Sequence, residues 1–222
     1  MTLHLYALAE HPARLPQCTG IEGSALAAIE IGSIDAVVSE LLQASPDVTE
    51  ETILAHADVV SALAQLNNAV LPARLARPYE NEAALVESVR ARATDLVDAL
   101  ERVQGCVEMG VRVVRQRDEK TRSSSGSDYM RGRLEAVQEA ERLGEEIEAA
   151  VGRLVRDRIG GATATRELVL RIAYLVRRDE AEAFREAVET LATARPELAY
   201  VCVGPLAPYS FALVDAGADG GG

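Results

Sequence analysis

The run Cys106-Val107-Glu108-Met109-Gly110-Val111-Arg112-Val113 alternates side chains in a strict two-residue period. Val107, Met109, Val111 and Val113 point one way, while Glu108, Gly110 and Arg112 point the other. That is the pattern of a half-buried sheet strand. Stretches with helical spacing lie on both sides of it, so the chain reads as α+β. Immediately upstream, Gly105 breaks a helix expected from about Glu82 to Val103, whose Leu85, Val89, Leu96, Leu100 and Val103 share one face. Further back, Ala69-Val70-Leu71 is a short extended run closed by Pro72. Before it, Thr49-Glu50-Glu51 opens a helix with a capping hydroxyl and first-turn acids. Ile53, His56, Val60, Leu63 and Asn67 form the buried stripe of that helix. Leu26–Ile31 and Ile34–Ser39 flank Gly32-Ser33 as a hairpin. Leu3, Leu5 and Ala7 mark a first strand that ends at His11-Pro12.

Downstream of the alternating strand, Asp118–Ser127 is charged and then Ser/Gly-rich, the composition of a flexible connection. From about Asp128 to Arg158, Met130, Leu134, Val137, Ala140, Leu143, Ile147, Val151 and Leu154 make one continuous stripe. A helix of that length spans roughly 45 Å. Part of it is expected to project or to pair with another helix as in a coiled coil. Gly160-Gly161 ends it. A strand at Leu168–Val176, a helix at Asp179–Ala194 and a strand at Leu198–Val203 complete the order β–α–β–α–β, close to a ferredoxin-like split βαβ pattern. The expectation is therefore a two-lobed α+β protein. Residues 1–104 form a smaller, less regular α/β N-terminal domain, 105–212 a ferredoxin-like C-terminal domain with a long projecting helix, and 213–222 a disordered tail.

The chain has 222 residues, a net charge of −12, no Trp, two Phe and six Tyr. Its cores must be built from aliphatic residues. The acidity argues against nucleic acid, which needs a concentrated basic surface, and against an anionic membrane surface. No apolar run approaches the roughly 20 residues of a membrane span. Cys18, Cys106 and Cys202 are odd in number and widely spaced, which fits neither a disulfide framework nor a zinc site. With no basic leader before an apolar run, the expected location is cytoplasmic.

Nothing in the sequence points to catalysis. There is no phosphate loop, dinucleotide turn, HExxH helix or nucleophile elbow, so no catalytic, cofactor-binding or metal-binding residue is assigned, and no cofactor. His56 reads as a packed residue hydrogen-bonded through one ring nitrogen, because Asp58, two positions away, lies off its face. Glu139, Glu141, Glu145, Glu146 and Glu148 alternate with arginines and read as a solvated helix face. Arg74 follows Pro72 in an apolar stretch and is suited to fixing a carboxylate or backbone carbonyls. The most specific segment is Gly204-Pro205-Leu206-Ala207-Pro208-Tyr209-Ser210-Phe211, a rigid irregular exit from a strand. Pro208, Tyr209 and Phe211 are its candidate partner-binding residues, with Arg74. The aromatics are expected either to dock on the chain itself or to anchor a partner.

That ending resembles the Gly-Pro-Trp-Pro-Pro-Tyr-Ser-Phe ending of the gas vesicle protein F/L family. Val70-Leu71-Pro72-Ala73-Arg74-Leu75-Ala76 resembles the family's Val-Leu-Pro-x-Arg-Phe-Gly motif. The His56-Ala57-Asp58-Val59-Val60-Ser61-Ala62-Leu63 run is similar to the helix preceding that motif. Leu5-Tyr6-Ala7, Val37-Val38-Ser39 and Ala173-Tyr174-Leu175-Val176 match in order. The chain departs from the pattern at Leu75, Ala76, Leu206 and Ala207. The resemblance runs from Leu3 to Phe211 and implies an accessory or minor structural protein of gas vesicle assembly. Its implied partners are the hydrophobic shell protein or other gas vesicle accessory proteins, and it would act without enzymatic activity and in association with the vesicle. A small-ligand-binding regulatory module, with Arg74 as the anchoring cation, is the alternative reading.

Overall fold

In the computed structural model, residues 2–42, 48–75, 78–115, 126–162 and 168–212 are described. The chain is a mixed α+β protein that divides into two compact units, Met1–Cys106 together with Ala207–Gly222, and Val107–Leu206. The expected flexible connection lies largely, and the disordered tail wholly, outside the described residues.

The first unit contains β1 (Thr2–Glu10), β2 (Leu26–Ile31), β3 (Ile34–Leu41), α1 (Glu50–Leu66), β4 (Val70–Pro72), β5 (Pro78–Tyr79), α2 (Glu82–Arg90) and α3 (Ala93–Val103). Its sheet has the order β2-β3-β1-β4, with β5 also pairing β1. The β2–β3 hairpin turns through Gly32, as its spacing predicts. β1 is central and buried from Leu3 to Ala9. A bulge between Leu5 and Ala7 interrupts its register with β3. The bulge turns Tyr6 toward the same face as Ala7 and Ala9, where α1 packs Val59, Val60 and Leu63. α1 begins at Thr49, whose hydroxyl accepts from the Thr52 amide while the Thr52 hydroxyl accepts from the Thr49 amide. This reciprocal cap satisfies donors that the first helical turn otherwise leaves open.

The single helix expected over 82–103 is two helices. Ala91 and Arg92 separate them, and Arg92 leaves helical geometry at φ −124°, ψ 18°. Neither residue is a helix breaker, so the break leaves no mark in the local sequence.

The second unit contains β6 (Cys106–Arg115), α4 (Gly126–Val151), β7 (Val155–Ala162), β8 (Leu168–Arg177), α5 (Ala181–Ala194) and β9 (Leu198–Leu206). Its sheet order is β7-β8-β6-β9, with β6–β9 and β7–β8 antiparallel. The order is thus β–α–β–β–α–β, one strand more than the sequence suggests. The helix expected to reach Arg158 ends at Val151. A 3₁₀ turn follows at Gly152–Leu154, and the chain then enters β7. Pairing along β8 overrides the residual helical spacing of Leu154. α4 spans about 39 Å at the standard rise. It packs against α5, β7 and β8, with Ala140, Leu143, Ile147 and Val151 in the second core.

Both helices lie on one face of this sheet. Val107, Met109, Val111 and Val113 of β6 meet Ala140, Leu143 and Ile147 of α4, Ile172 and Tyr174 of β8, and Phe184 and Val188 of α5. The alternation read in β6 is therefore the inward face of the second core.

Candidate functional site

The segments that carry the family resemblance are far apart in sequence, yet most of them meet in the first unit. β4 runs antiparallel to β1, with Leu8 opposite Leu71 and Ala7 opposite Pro72. The Ala73 amide then donates to the Tyr6 carbonyl at 2.8 Å. Beneath these strands His4, Tyr6, Ser39 and His56 form a closed polar cluster, with His4 and Tyr6 fully buried and Ser39 1% exposed. His4 Nε2 lies 2.9 Å from His56 Nδ1, and His56 Nε2 lies 3.0 Å from the Ala73 carbonyl oxygen. The Tyr6 ring stacks on His56 at 5.4 Å and meets His4 edge-on at 4.6 Å.

The proton positions follow from these partners. A carbonyl only accepts, so His56 Nε2 carries the proton and donates to Ala73. In the neutral ring Nδ1 is then the acceptor, and His4 Nε2–H donates to it. His4 Nδ1 is left bare, buried and without a partner. Burial, with His56 close by, lowers the pKa of His4 to about 4. Burial also lowers that of His56, against the opposing bond to Ala73. Both rings are neutral near pH 7.

The Tyr6 hydroxyl completes the cluster. It accepts from the Ile21 amide at 2.7 Å and is 2.9 Å from Ser39 Oγ. A Cβ at Gly20 would fall 2.2 Å from the Tyr6 oxygen, so only glycine lets the chain come this close. One polar cluster therefore links β1, β3, α1, the end of β4 and the Gly20 loop. It is sealed from solvent and suits structural tying; it offers no surface to a ligand. His56 is a packed residue, as its spacing suggests, although it bonds through both nitrogens. The sequence reading does not single out His4, its partner; the one available signal is a lone imidazole in the apolar run Leu3–Ala9.

The C-terminal segment docks on the first unit. Gly204 has φ +127°, and a Cβ there would meet the Glu108 carbonyl at 2.7 Å and Met109 Sδ at 2.8 Å. The Arg185 guanidinium donates to the Gly204 carbonyl at 2.7 Å. Ala207 then joins the core containing Val70 and Tyr6. Phe211 is 1% exposed, with the Arg102 guanidinium 5.5 Å from its ring centre. Pro208 is buried as well, whereas Tyr209 is 40% exposed. The sequence placed this segment with residues 105–212. Compact packing groups it with the first unit instead. Of the four candidate partner residues, Tyr209 and Arg74 reach the surface, while Pro208 and Phe211 face inward. Arg74 lines neither the open groove of about 720 Å³ along β2 and β3 nor the smaller cleft near Glu10 and Glu101.

On α4 the apolar stripe outruns its cover. Ala140, Leu143 and Ile147 are 0–1% exposed, but Met130 and Leu134, one turn apart on the same stripe, are 64% and 59% exposed. Among the described residues of this helix, Met130 and Leu134 are the large apolar side chains left exposed.

Comparison with known proteins gives consistent findings. The model of the family described as gas vesicle synthesis protein GvpL/GvpF matches residues 2–213. Gas vesicle protein F2 of Halobacterium salinarum is 27% identical over 205 residues, 90% of this chain and 86% of that one. Gas vesicle protein L of a Streptomyces species is 32% identical over 184 residues, 71% of this chain and 67% of that one. The crystal structure of gas vesicle protein GvpF from Anabaena has a similar fold, with a TM-score of 0.80 and 17% identity over 95% of each chain.

Proposed function

The chain belongs to the GvpL/GvpF family of gas vesicle synthesis proteins, and we propose that it works in the cytoplasm as an accessory assembly factor, holding the hydrophobic shell protein or other accessory proteins as vesicles form. We assign it no reaction. We also read the second unit as ferredoxin-like, a reading supported by the strand order β7-β8-β6-β9 with both helices on one face. The observation that carries the binding role is the exposed pair Met130 and Leu134. An apolar stripe that continues past its own core is the mark of a helix awaiting a partner. On the first unit, Tyr209 and Arg74 are the surface groups assigned to contacts.

A pull-down with purified shell protein and accessory proteins tests this. The wild-type chain is expected to retain at least one of them. Met130→Glu with Leu134→Glu should reduce capture at least tenfold with an unchanged circular dichroism spectrum, and Tyr209→Ala should reduce it less. Full capture by all of these folded variants would remove both surfaces from the interface. No capture by the wild type would end the binding reading.

A further inference from the structure

Among the described residues the two sheets end on four edges, and three of them are blunted. β2 carries Glu30 among its six residues. The side formed by β4 and β5 has Pro72 and Pro78, which lack the amide that a new strand would need. β7 has Arg156-Asp157-Arg158 in succession, a bulge between Val155 and Asp157, and Gly160-Gly161. Charges, prolines and bulges are the usual means by which a sheet edge is kept from pairing with another chain.

β9 has none of these from Leu198 to Val203. Its residues Leu-Ala-Tyr-Val-Cys-Val include no charge and no proline, and the first proline is Pro205. β9 pairs with β6 on one side and with no described strand on the other. Its helix-facing residues Leu198, Tyr200 and Cys202 belong to the second core. Ala199, Val201 and Val203 face away from the helices, and here too they are apolar, with Val201 44% and Val203 38% exposed. Uncharged, apolar side chains on both faces leave β9 free to take an apolar cross-strand neighbour at every position of an added strand. Among the described residues, the Tyr200 hydroxyl is one of three buried side-chain groups with a polar atom that finds no hydrogen-bond partner.

We propose that β9 is a self-association edge, where a second copy of this chain adds its own β9 in antiparallel register across a two-fold axis, joining two four-stranded sheets into one. With the axis at Val201, Val201 meets its own copy and Ala199 meets Val203 on the outer face, while Tyr200 meets Cys202 on the helix face. No like charges oppose one another in that register, which is the condition for an isologous strand pair. Pro205 limits the ladder to the residues before it. An interface this short falls at the small end of the range, below about 1,200 Å², so the dimer is expected to dissociate on dilution.

Sedimentation of the full chain from low to high micromolar concentration tests the proposal. The weight-average mass should rise from 23.7 kDa toward twice that value. Hydrogen exchange at the two ends of the range should show backbone amides of residues 199–203 slowed at the higher concentration. Val201→Lys sets two ammonium groups opposite each other in the dimer but leaves them in water in the monomer. It should hold the mass at one chain with an unchanged circular dichroism spectrum. A wild type that stays at one chain's mass throughout overturns the proposal. So does association without slowing at residues 199–203, a reading that does not depend on the variant's folding, or a folded Val201→Lys chain that associates as strongly as wild type.

Discussion

The two units solve the problem of a unique core in opposite ways. In the first, an alanine-lined sheet is locked by polar atoms that find partners across long stretches of chain: His4 with His56, Tyr6 with Ser39 and the Ile21 amide, His56 with Ala73. In the second, the core is an interlock of Val, Leu, Ile, Met and Phe around Tyr174, whose buried hydroxyl has no hydrogen-bond partner among the described residues. Hydrogen-bonded cores specify which groups must meet and are penalised when one partner is lost or charged. Aliphatic cores specify shape and are indifferent to pH. The first unit should therefore be chemically fragile where the second is mechanically sensitive.

Acid is the strongest test of that contrast. The His4 pKa is lowered to about 4 from an ordinary value of 6.5. Between those values the unfolded chain binds a proton that the folded chain refuses, so stability falls as pH drops through this window. His4 alone accounts for a loss of about 3 kcal/mol across it, and His56 shifts in the same direction. Hydrogen exchange at pH 7 and pH 4.5 should show β1 and α1 losing much more protection than β8 and α5. Equal losses in both units would erase the distinction.

Tyr6→Phe is expected to be the next largest effect. It strips the Ile21 amide and Ser39 of their partner inside the core and should cost about 1–3 kcal/mol, read as a lower urea midpoint for the first unit. The matching change in the second unit, Tyr174→Phe, removes a hydroxyl with no hydrogen-bond partner among the described residues. It should be neutral or stabilising by up to about 1 kcal/mol. If both substitutions prove equally harmful, the difference between the cores does not reside in their hydroxyls.

The parts of this architecture legible in the sequence were those with a local cause. Gly32-Ser33 announced a hairpin, Thr49 a helix start, and the strict alternation of Val107 to Val113 a strand with one buried face. β7 was missed because Leu154 continues the helical stripe, and because an edge strand bearing Arg156 and Arg158 has no clean apolar period. The split at Ala91-Arg92 was invisible, since both residues favour helix. The polar cluster was half legible: the helical stripe marks His56 as packed, but nothing local singles out His4, and 52 residues separate the two. The motif at the chain's end was visible as rigid and aromatic. That Phe211 turns inward and Tyr209 outward depends on the core that receives them, which is assembled from residues more than a hundred positions earlier.

The return of residues 207–211 to the first unit has a consequence for the order of events at the ribosome. A nascent chain emerges N-terminus first and generally folds domain by domain as it appears. Here the first unit to emerge is the last to be finished, because Ala207 and Phe211 are buried parts of it. The second unit, by contrast, is one uninterrupted stretch from Val107 to Leu206. It can close while the opening strands still lack their final piece, so a translation product cut short before Ala207 would carry one complete unit and one open one.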